Sequence, residues 1–324
     1  MPLYDNLTYK KVILQHIHLD KKPFSFSFPE FDQKLYDSIS SIGIVNPPTL
    51  FPEKNGDRFL IVSGVRRILA CKKLGMKILP CLIIEKEKLC NENLIIFNLK
   101  TNLSHRELNF VEMGNFFNLL KEIGIPGETI ISKFMPELKL SKSRKIYEDI
   151  LSIYSLDVYS KMRIIEWGLS LKTSAALSRY SKTERDSMMK LAETLLPGLN
   201  RFKEIIMLLE EVTLMQKLSI KDIISHYLVD FTKDNALGKK ERAEKIRLKL
   251  KGLKYPKLTK LEKKWVKCVK NLHLPQEIKI TPPSLMEGKK MKIEIALSPK
   301  VRITDSLQKL NDALKSSSLE ELIN

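Results

Sequence analysis

Phe59–Ile84 reads FLIVSGVRRILACKKLGMKILPCLII. Phe59 to Val62 is a short apolar run rich in strand formers, and Ser63-Gly64 interrupts it. Val65 to Leu74 has helical spacing and stops at Gly75, and Ile78 to Ile84 is a second strand-like run. Strand, glycine turn, helix, strand is a small α/β unit. A helix that starts just after a glycine presents unpaired backbone N–H groups and the positive end of its dipole, and glycine lets an anion come close. Arg66 and Arg67 add two forked cations at that point. Gly64, Arg66 and Arg67 are therefore candidate phosphate ligands; the alternative is two solvated arginines on a surface helix.

Upstream, Leu35, Ile39 and Ile42 mark an amphipathic helix over residues 33 to 42, ended by Gly43. NPPTLFP and a turn at Lys54-Asn55-Gly56-Asp57 follow. From Asn102 to about Leu209 the pattern is helical. Phe110–Ile123 is one helix, Thr129–Phe134 a short second one, and Ser141–Ile153 a third with Ser141 as its N-cap. This is the outline of a helix-turn-helix, with an interval, MPELKL, longer than a tight turn. Ser141, Lys142, Ser143, Arg144 and Lys145 are its candidate DNA contacts, against a basic surface helix in an all-α bundle. Further helices are expected over 156–166, 171–180, 182–195 and 201–216.

The 324 residues carry a net charge of +18 and are 43% hydrophobic, which allows two or three domains with real cores and points to a polyanionic partner. The segment Lys239–Lys270 holds 14 lysines or arginines against three glutamates, and Leu258, Leu261, Trp265, Cys268 and Leu272 give it an apolar side. Whether helix or flexible linker, such a tract binds DNA in a salt-sensitive way. EIKITPP, a turn at Glu287-Gly288, MKIEIAL and a helix through Leu307, Leu310 and Leu314 complete a small helix-strand-strand-helix unit. A unit of that size buries little surface alone, so dimerisation is the natural way to cover its sheet.

Several classes are set aside. Neither a signal pattern nor a membrane-length apolar run is present, so a soluble intracellular protein is expected. The four cysteines form no CxxC and the five histidines are scattered, which argues against a disulfide framework or a metal cluster.

VSGVRRILACKKLGMKILPCLII resembles the GERRxRA box of the ParB family of DNA-partition proteins, including the Gly75 and Pro80 that follow it. FDQKLYDSISSIGIVNPPTL is similar to that family's first box. TNLSHRELNFVEMG resembles its ENxxR…LNPIEEA box through Asn102, Leu103, Leu108, Asn109 and Glu112, and GKKMKIEIALSPKVRITDSLQKL resembles its C-terminal dimerisation domain. The resemblance implies an α+β multidomain chain: a small α/β nucleotide-binding domain (1–100), an all-α helix-turn-helix domain (101–216), a basic helical linker (217–256) and a C-terminal dimerisation domain (257–324). It implies double-stranded DNA as partner, a homodimer, a ParA-type ATPase, nucleoid association in the cytoplasm, and CTP with Mg2+ as cofactors. The phosphate grip maps onto Gly64, Arg66 and Arg67, and Asn102 onto both cofactor and metal.

The departures are chemical. The glutamate of GERR is Val65, the glutamate of ENxxR is Thr101, and its arginine position is His105. Carboxylates suit magnesium and orient water, so their loss argues against hydrolysis more than against binding. The competing readings are a ParB-like transcriptional regulator or mobile-element factor without a CTP switch, and, as an enzyme, a ParB-fold nuclease or weak CTPase. The fold shared with sulfiredoxin offers no such activity, because the loop reads Ser63-Gly64-Val65-Arg66 and Cys71 lies beyond it.

Overall fold

The computed structural model describes residues 7–53, 58–84, 90–195, 199–233, 238–283, 286, 291–296 and 303–314. The expected turns at Lys54-Asn55-Gly56-Asp57 and at Glu287-Gly288 lie outside them. The chain divides into two units, Met1–Met189 and Lys190–Asn324. No helix among the described residues is long and apolar enough to cross a membrane.

The first unit opens with a four-stranded mixed sheet of order β1-β4-β2-β3, where β1 is Leu7–Ile13, β2 Thr49–Pro52, β3 Phe59–Ser63 and β4 Ile78–Ile84. β1 runs antiparallel to β4, β2 antiparallel to β3, and β2 parallel to β4. Helices α1 (Gln33–Ile42) and α2 (Val65–Lys73) follow the sequence reading within a residue. Asp32 caps α1 and Gly43, at φ 77°, ends it. Side chains alternate across the sheet. Ile61, Leu79, Cys81 and Ile83 enter a core with Ile39, Val65 and Ile68, whereas Val62 and Ile84 enter a second core with helix α3 (Asn91–Leu103) and helix α4 (Phe110–Glu122).

That second core also holds Phe134, Tyr147 and Ile150, so the sheet and the helical layer share one apolar interior across residue 100. Gly114 lies within α4, where an added Cβ would sit 2.9 Å from the Ile150 carbonyl oxygen, so the backbones of α4 and the helix Arg144–Tyr154 approach closely there. The middle helix spans 127–137 and contains a π turn at Ile130–Phe134. Met135–Glu137, expected as loop, belongs to this helix. The third helix starts at Arg144 rather than Ser141. Ser141, Lys142 and Ser143 stay outside it, because Ser143 has extended backbone and its Oγ accepts the Ile146 N–H, taking the N-cap role expected of Ser141. Shorter helices, Val158–Glu166 and Leu171–Leu177, follow.

In the second unit, the stretch 217–256 is helical and packed. It forms a helix over 220–233 and the helix Lys239–Lys254, which bury Ile223, Leu228, Ala243, Ile246 and Leu250 against Leu199–Gln216. The basic tract therefore breaks into two helices at Tyr255, the second being Pro256–Asn271. Strands β5 (Ile278–Thr281) and β6 (Lys292–Ile295) pair antiparallel, and Trp265, Leu272, Ile278, Ile280 and Leu310 share a small core.

Candidate functional site

A cavity of about 290 Å3 opens in the first unit between the α2 N-terminus, α1 and the C-terminal end of α3. Gly64, Val65, Arg66, Arg67, Asn102 and Arg106 stand on its wall. Gly64 is the N-cap of α2 with φ 95° and ψ 25°, a left-handed conformation that a side chain resists. A Cβ there would lie 2.8 Å from Pro48 Cβ, so the glycine is required by both torsion and space. No side chain caps this end and the first turn has no acidic residue, so the helix dipole and its leading amides face the cavity without an anionic neighbour on the helix.

The arginine pair is not a pair of free forks. Arg66 donates from Nε to the Pro29 carbonyl (2.8 Å) and from Nη2 to the Phe28 carbonyl (2.9 Å) and Glu112 Oε1 (2.8 Å). Arg67 donates from Nη1 to the carbonyls of Asn46 (2.5 Å) and Pro47 (3.1 Å). Burial lowers the pKa of both guanidiniums; for Arg66 the Glu112 charge opposes that shift and Arg106 adds to it. Both stay cationic, since arginine does not deprotonate in proteins.

Glu112 is the hub that sequence reading noted only as a motif match. Its side chain is 0% exposed. Oε1 accepts from Phe28 N (3.2 Å), Arg66 Nη2 (2.8 Å) and Arg106 Nη2 (2.8 Å), while Oε2 accepts from Arg106 Nη1 (2.6 Å) and Asn109 N (3.2 Å). Two guanidiniums thus share one buried carboxylate, leaving an excess positive charge beside the cavity. Arg106 was missed because the family spacing points to His105. One residue further along, Arg106 reaches Glu112 and also donates to Asn102 Oδ1 at 2.9 Å. The adjacent cation in HRE was the available signal.

An extended strap, Phe24–Pro29, is tied to the same network. Asn98 donates to the Phe24 carbonyl (2.8 Å), Asn115 to that of Phe26 (3.1 Å) and Asn109 to that of Phe28 (2.9 Å). Alternate carbonyls thus meet asparagines where a sheet would supply backbone amides, while Phe24 and Phe26 fill the core.

Asn102 donates to the Asn98 carbonyl and side-chain oxygen (2.9 and 2.8 Å), and its own oxygen receives Arg106. Among the described residues Asp32 is the one carboxylate on the cavity wall, and its Oδ1 caps α1 by accepting the Leu35 N–H. Among the described residues no group of three or more His, Cys, Asp or Glu is placed to hold a metal. This donor set does not fit magnesium, which needs several hard oxygens.

On the helical layer, Lys142, Arg144 and Lys145 are exposed at the start of the helix Arg144–Tyr154, and Ser141 is exposed just before it. Arg144 is held by Glu148 (3.1 Å) and Glu128 (3.3 Å), surface pairs that a phosphate can displace.

Residues 18–103 match the ParB N-terminal domain model. A probable chromosome-partitioning protein ParB of Campylobacter jejuni is 29% identical over 146 residues, 43% of this chain and 48% of that protein. The chromosome-partitioning protein ParB of Myxococcus xanthus is 24% identical over 168 residues, 52% of this chain and 53% of that protein. The chain spans about half the length of the curated relatives it matches. Among solved structures, the C-terminally truncated ParB from Caulobacter crescentus complexed to the centromeric parS site is 16% identical, with 60% of this chain and 96% of that one covered at a TM-score of 0.32. A Pnob8-like ParB-N domain is 15% identical, with 76% and 98% covered at a TM-score of 0.37. Over residues 18–103 the chain is thus similar to the ParB N-terminal domain, and the curated relatives it resembles are ParB proteins.

Proposed function

We propose that this chain is a dimeric, site-specific DNA-binding protein of a chromosome or plasmid partition system. The observation that carries the reading is the pair of helices at 127–137 and Arg144–Tyr154, the second entered through exposed basic side chains; we read the pair as a helix-turn-helix. The start of such a second helix enters the major groove, where Lys142, Arg144 and Lys145 reach base edges and phosphates. The names of the relatives above, chromosome-partitioning proteins, support the cellular role. Dimerisation is assigned to residues 257–324, where Leu261, Val266, Ile293 and Leu307 remain exposed around a two-stranded sheet. A ParA-type ATPase is the partner this role requires.

The cavity at the α2 N-terminus is assigned to the phosphates of CTP. The leading amides of α2 and the positive charge shared by Arg66, Arg67 and Arg106 would bind and orient them. Val65 is buried beside Ile68, and the Thr101 hydroxyl is spent on the Phe97 carbonyl, so neither position offers a carboxylate to orient water. Binding with weak or absent hydrolysis follows.

Genome-wide occupancy by crosslinking and sequencing tests the first assignment. Discrete sites that vanish in a Lys142→Gln/Arg144→Gln/Lys145→Gln variant support it, and an unchanged profile refutes it. Calorimetric titration with CTP, with Arg67→Ala as comparison, tests the second. Arg67 donates to the loop carbonyls of Asn46 and Pro47 and to no buried carboxylate among the described residues, so its loss should weaken CTP about tenfold or more while the protein stays folded.

A further inference from the structure

The second unit repeats the architecture of the helix-turn-helix in the first. In the first, α4 leads to the helix 127–137 and then to Arg144–Tyr154; in the second, Leu199–Gln216 leads to the helix 220–233 and then to Lys239–Lys254. In both, the first and third helices pack on each other. In both, a residue of positive φ turns the chain between the first two helices, Gly124 at 88° and Lys217 at 53°. In both, the middle helix contains a π turn across its middle, Ile130–Phe134 and Ile224–Leu228. π turns are rare, and two at matching places in two three-helix modules argue for one design used twice.

The sequences agree once the eye is directed there. Ile130-Ile131-Ser132 stands where Ile223-Ile224-Ser225 stands, at the same distance from the turn residue. The buried positions of α4, Met113, Phe116, Phe117 and Leu120, keep the spacing of Ile205, Leu208, Leu209 and Val212. Tyr147 and Ile150 of the first third helix have their counterparts in Ala243 and Ile246 of the other. Apart from the Ile-Ile-Ser run, identity is slight, so the repeat is one of period and geometry.

We infer that residues 199–254 are a second helix-turn-helix, and that the exposed start of Lys239–Lys254 reads double-stranded DNA independently of Arg144–Tyr154. This rests on the reading of the first module as a DNA reader. The helix carries eight lysines or arginines against two glutamates. Its later part is tied down inside the module, by Arg247 to Glu204 (3.2 Å) and Lys254 to Glu211 (2.6 Å), both on the first helix. Its opening residues Lys239 and Lys240 are exposed, as Lys142, Arg144 and Lys145 are in the first module. That is the geometry in which the N-terminal turn of a recognition helix meets base edges and its flanks meet phosphates. Two readers in one chain select a composite site of two sequence elements.

The test is selection from random double-stranded DNA by the full chain, compared with Lys239→Gln/Lys240→Gln and Lys142→Gln/Lys145→Gln. All four lysines are exposed, and circular dichroism checks that both variants stay folded. The wild type should enrich two elements. The first variant should lose one, with discrimination against mismatches there falling about tenfold or more, and keep the other; the second variant should do the reverse. If the first variant enriches the wild-type motif unchanged, the second module is no reader and the inference fails while the first reading stands. If it weakens binding equally on all sequences and makes the salt dependence shallower by about two ions, the lysines are phosphate contacts only and sequence reading by this module is refuted. If only the Lys142/Lys145 variant leaves enrichment untouched, the first reading fails and the inference survives.

Discussion

Glu112→Gln isolates the buried hub. The substitution keeps the shape and removes one negative charge from a site that holds two guanidiniums and two backbone amides. An amide accepts at one oxygen only. Placed with its nitrogen at Oε2, it loses the bonds from Arg106 Nη1 and Asn109 N and turns a donor toward donors. Removing one partner of a buried ionic cluster costs about 3–5 kcal/mol. The arginine side chains are 17% and 29% exposed, so each recovers some hydration, which places the cost near the lower end, about 3 kcal/mol. For a unit of this size that is a fall in Tm of about 6–12 °C. The chain has two tryptophans, Trp167 in the first unit and Trp265 in the second. Trp167 fluorescence in a Trp265→Phe background therefore reports the first unit alone, by urea and heat. Glu122→Gln, at an exposed pair with Asn118, is the control and should move Tm by about 1–2 °C at most. A loss below about 1 kcal/mol with an unchanged m-value would mean that the arginines are satisfied without the carboxylate, and the hub argument would fall.

Three further outcomes follow from the same geometry. Gly64→Ala forces a left-handed torsion and a 2.8 Å contact with Pro48, so it should cost about 1–3 kcal/mol and weaken CTP in calorimetry; a neutral effect on both would remove the glycine from the argument. Gly114→Ala puts a methyl 2.9 Å from the Ile150 carbonyl and should separate α4 from Arg144–Tyr154 at a cost of about 1–3 kcal/mol, read as a lower urea midpoint; an unchanged midpoint would show that the helices have slack. Iodoacetamide at pH 8 should label exposed Cys90 in the native protein and spare Cys81, whose thiol burial and neighbouring Cys71 push up to about 12; mass spectrometry that finds Cys81 modified before unfolding would contradict that burial.

What sequence reading reached, and what it missed, divides along physical lines. α1, α2, β3 and β4 carry clear periods and punctuating glycines, and their bounds came within a residue. α3 did not show, because it lies between the sheet and the helical layer and buries Leu94, Ile95, Phe97, Asn98 and Leu99 on nearly every side, which erases the amphipathic stripe. β2 shows little strand pattern, with Pro47 and Pro48 just before it and Pro52 at its end. β1 was left unassigned because its alternation is broken by Lys10 and Lys11. The helical character of 217–256 was legible, but its packing into a core was not, because basic residues on Lys239–Lys254 outnumber the three that it buries, Ala243, Ile246 and Leu250. Gly64, Arg66, Arg67 and Asn102 do come together on one cavity wall. That the arginines are anchored by Glu112 and two loops was beyond a linear reading, since those partners are set by the tertiary path of the strap.

The anchoring bears on how the family's pattern has shifted in this chain. The guanidinium stands at Arg106 rather than at His105 and reaches Asn102 and Glu112, because Arg106 lies in the chain just past the end of α3 and arginine is long. A carboxylate cannot be displaced so cheaply. At Val65 the side chain is 3% exposed and packed beside Ile68, so a glutamate there would enter an apolar core without a partner. The site thus has its positive charge, while Val65 supplies packing and no carboxylate. The cavity therefore offers amides and cations to an anion, while neither Val65 nor Thr101 offers a carboxylate to orient water.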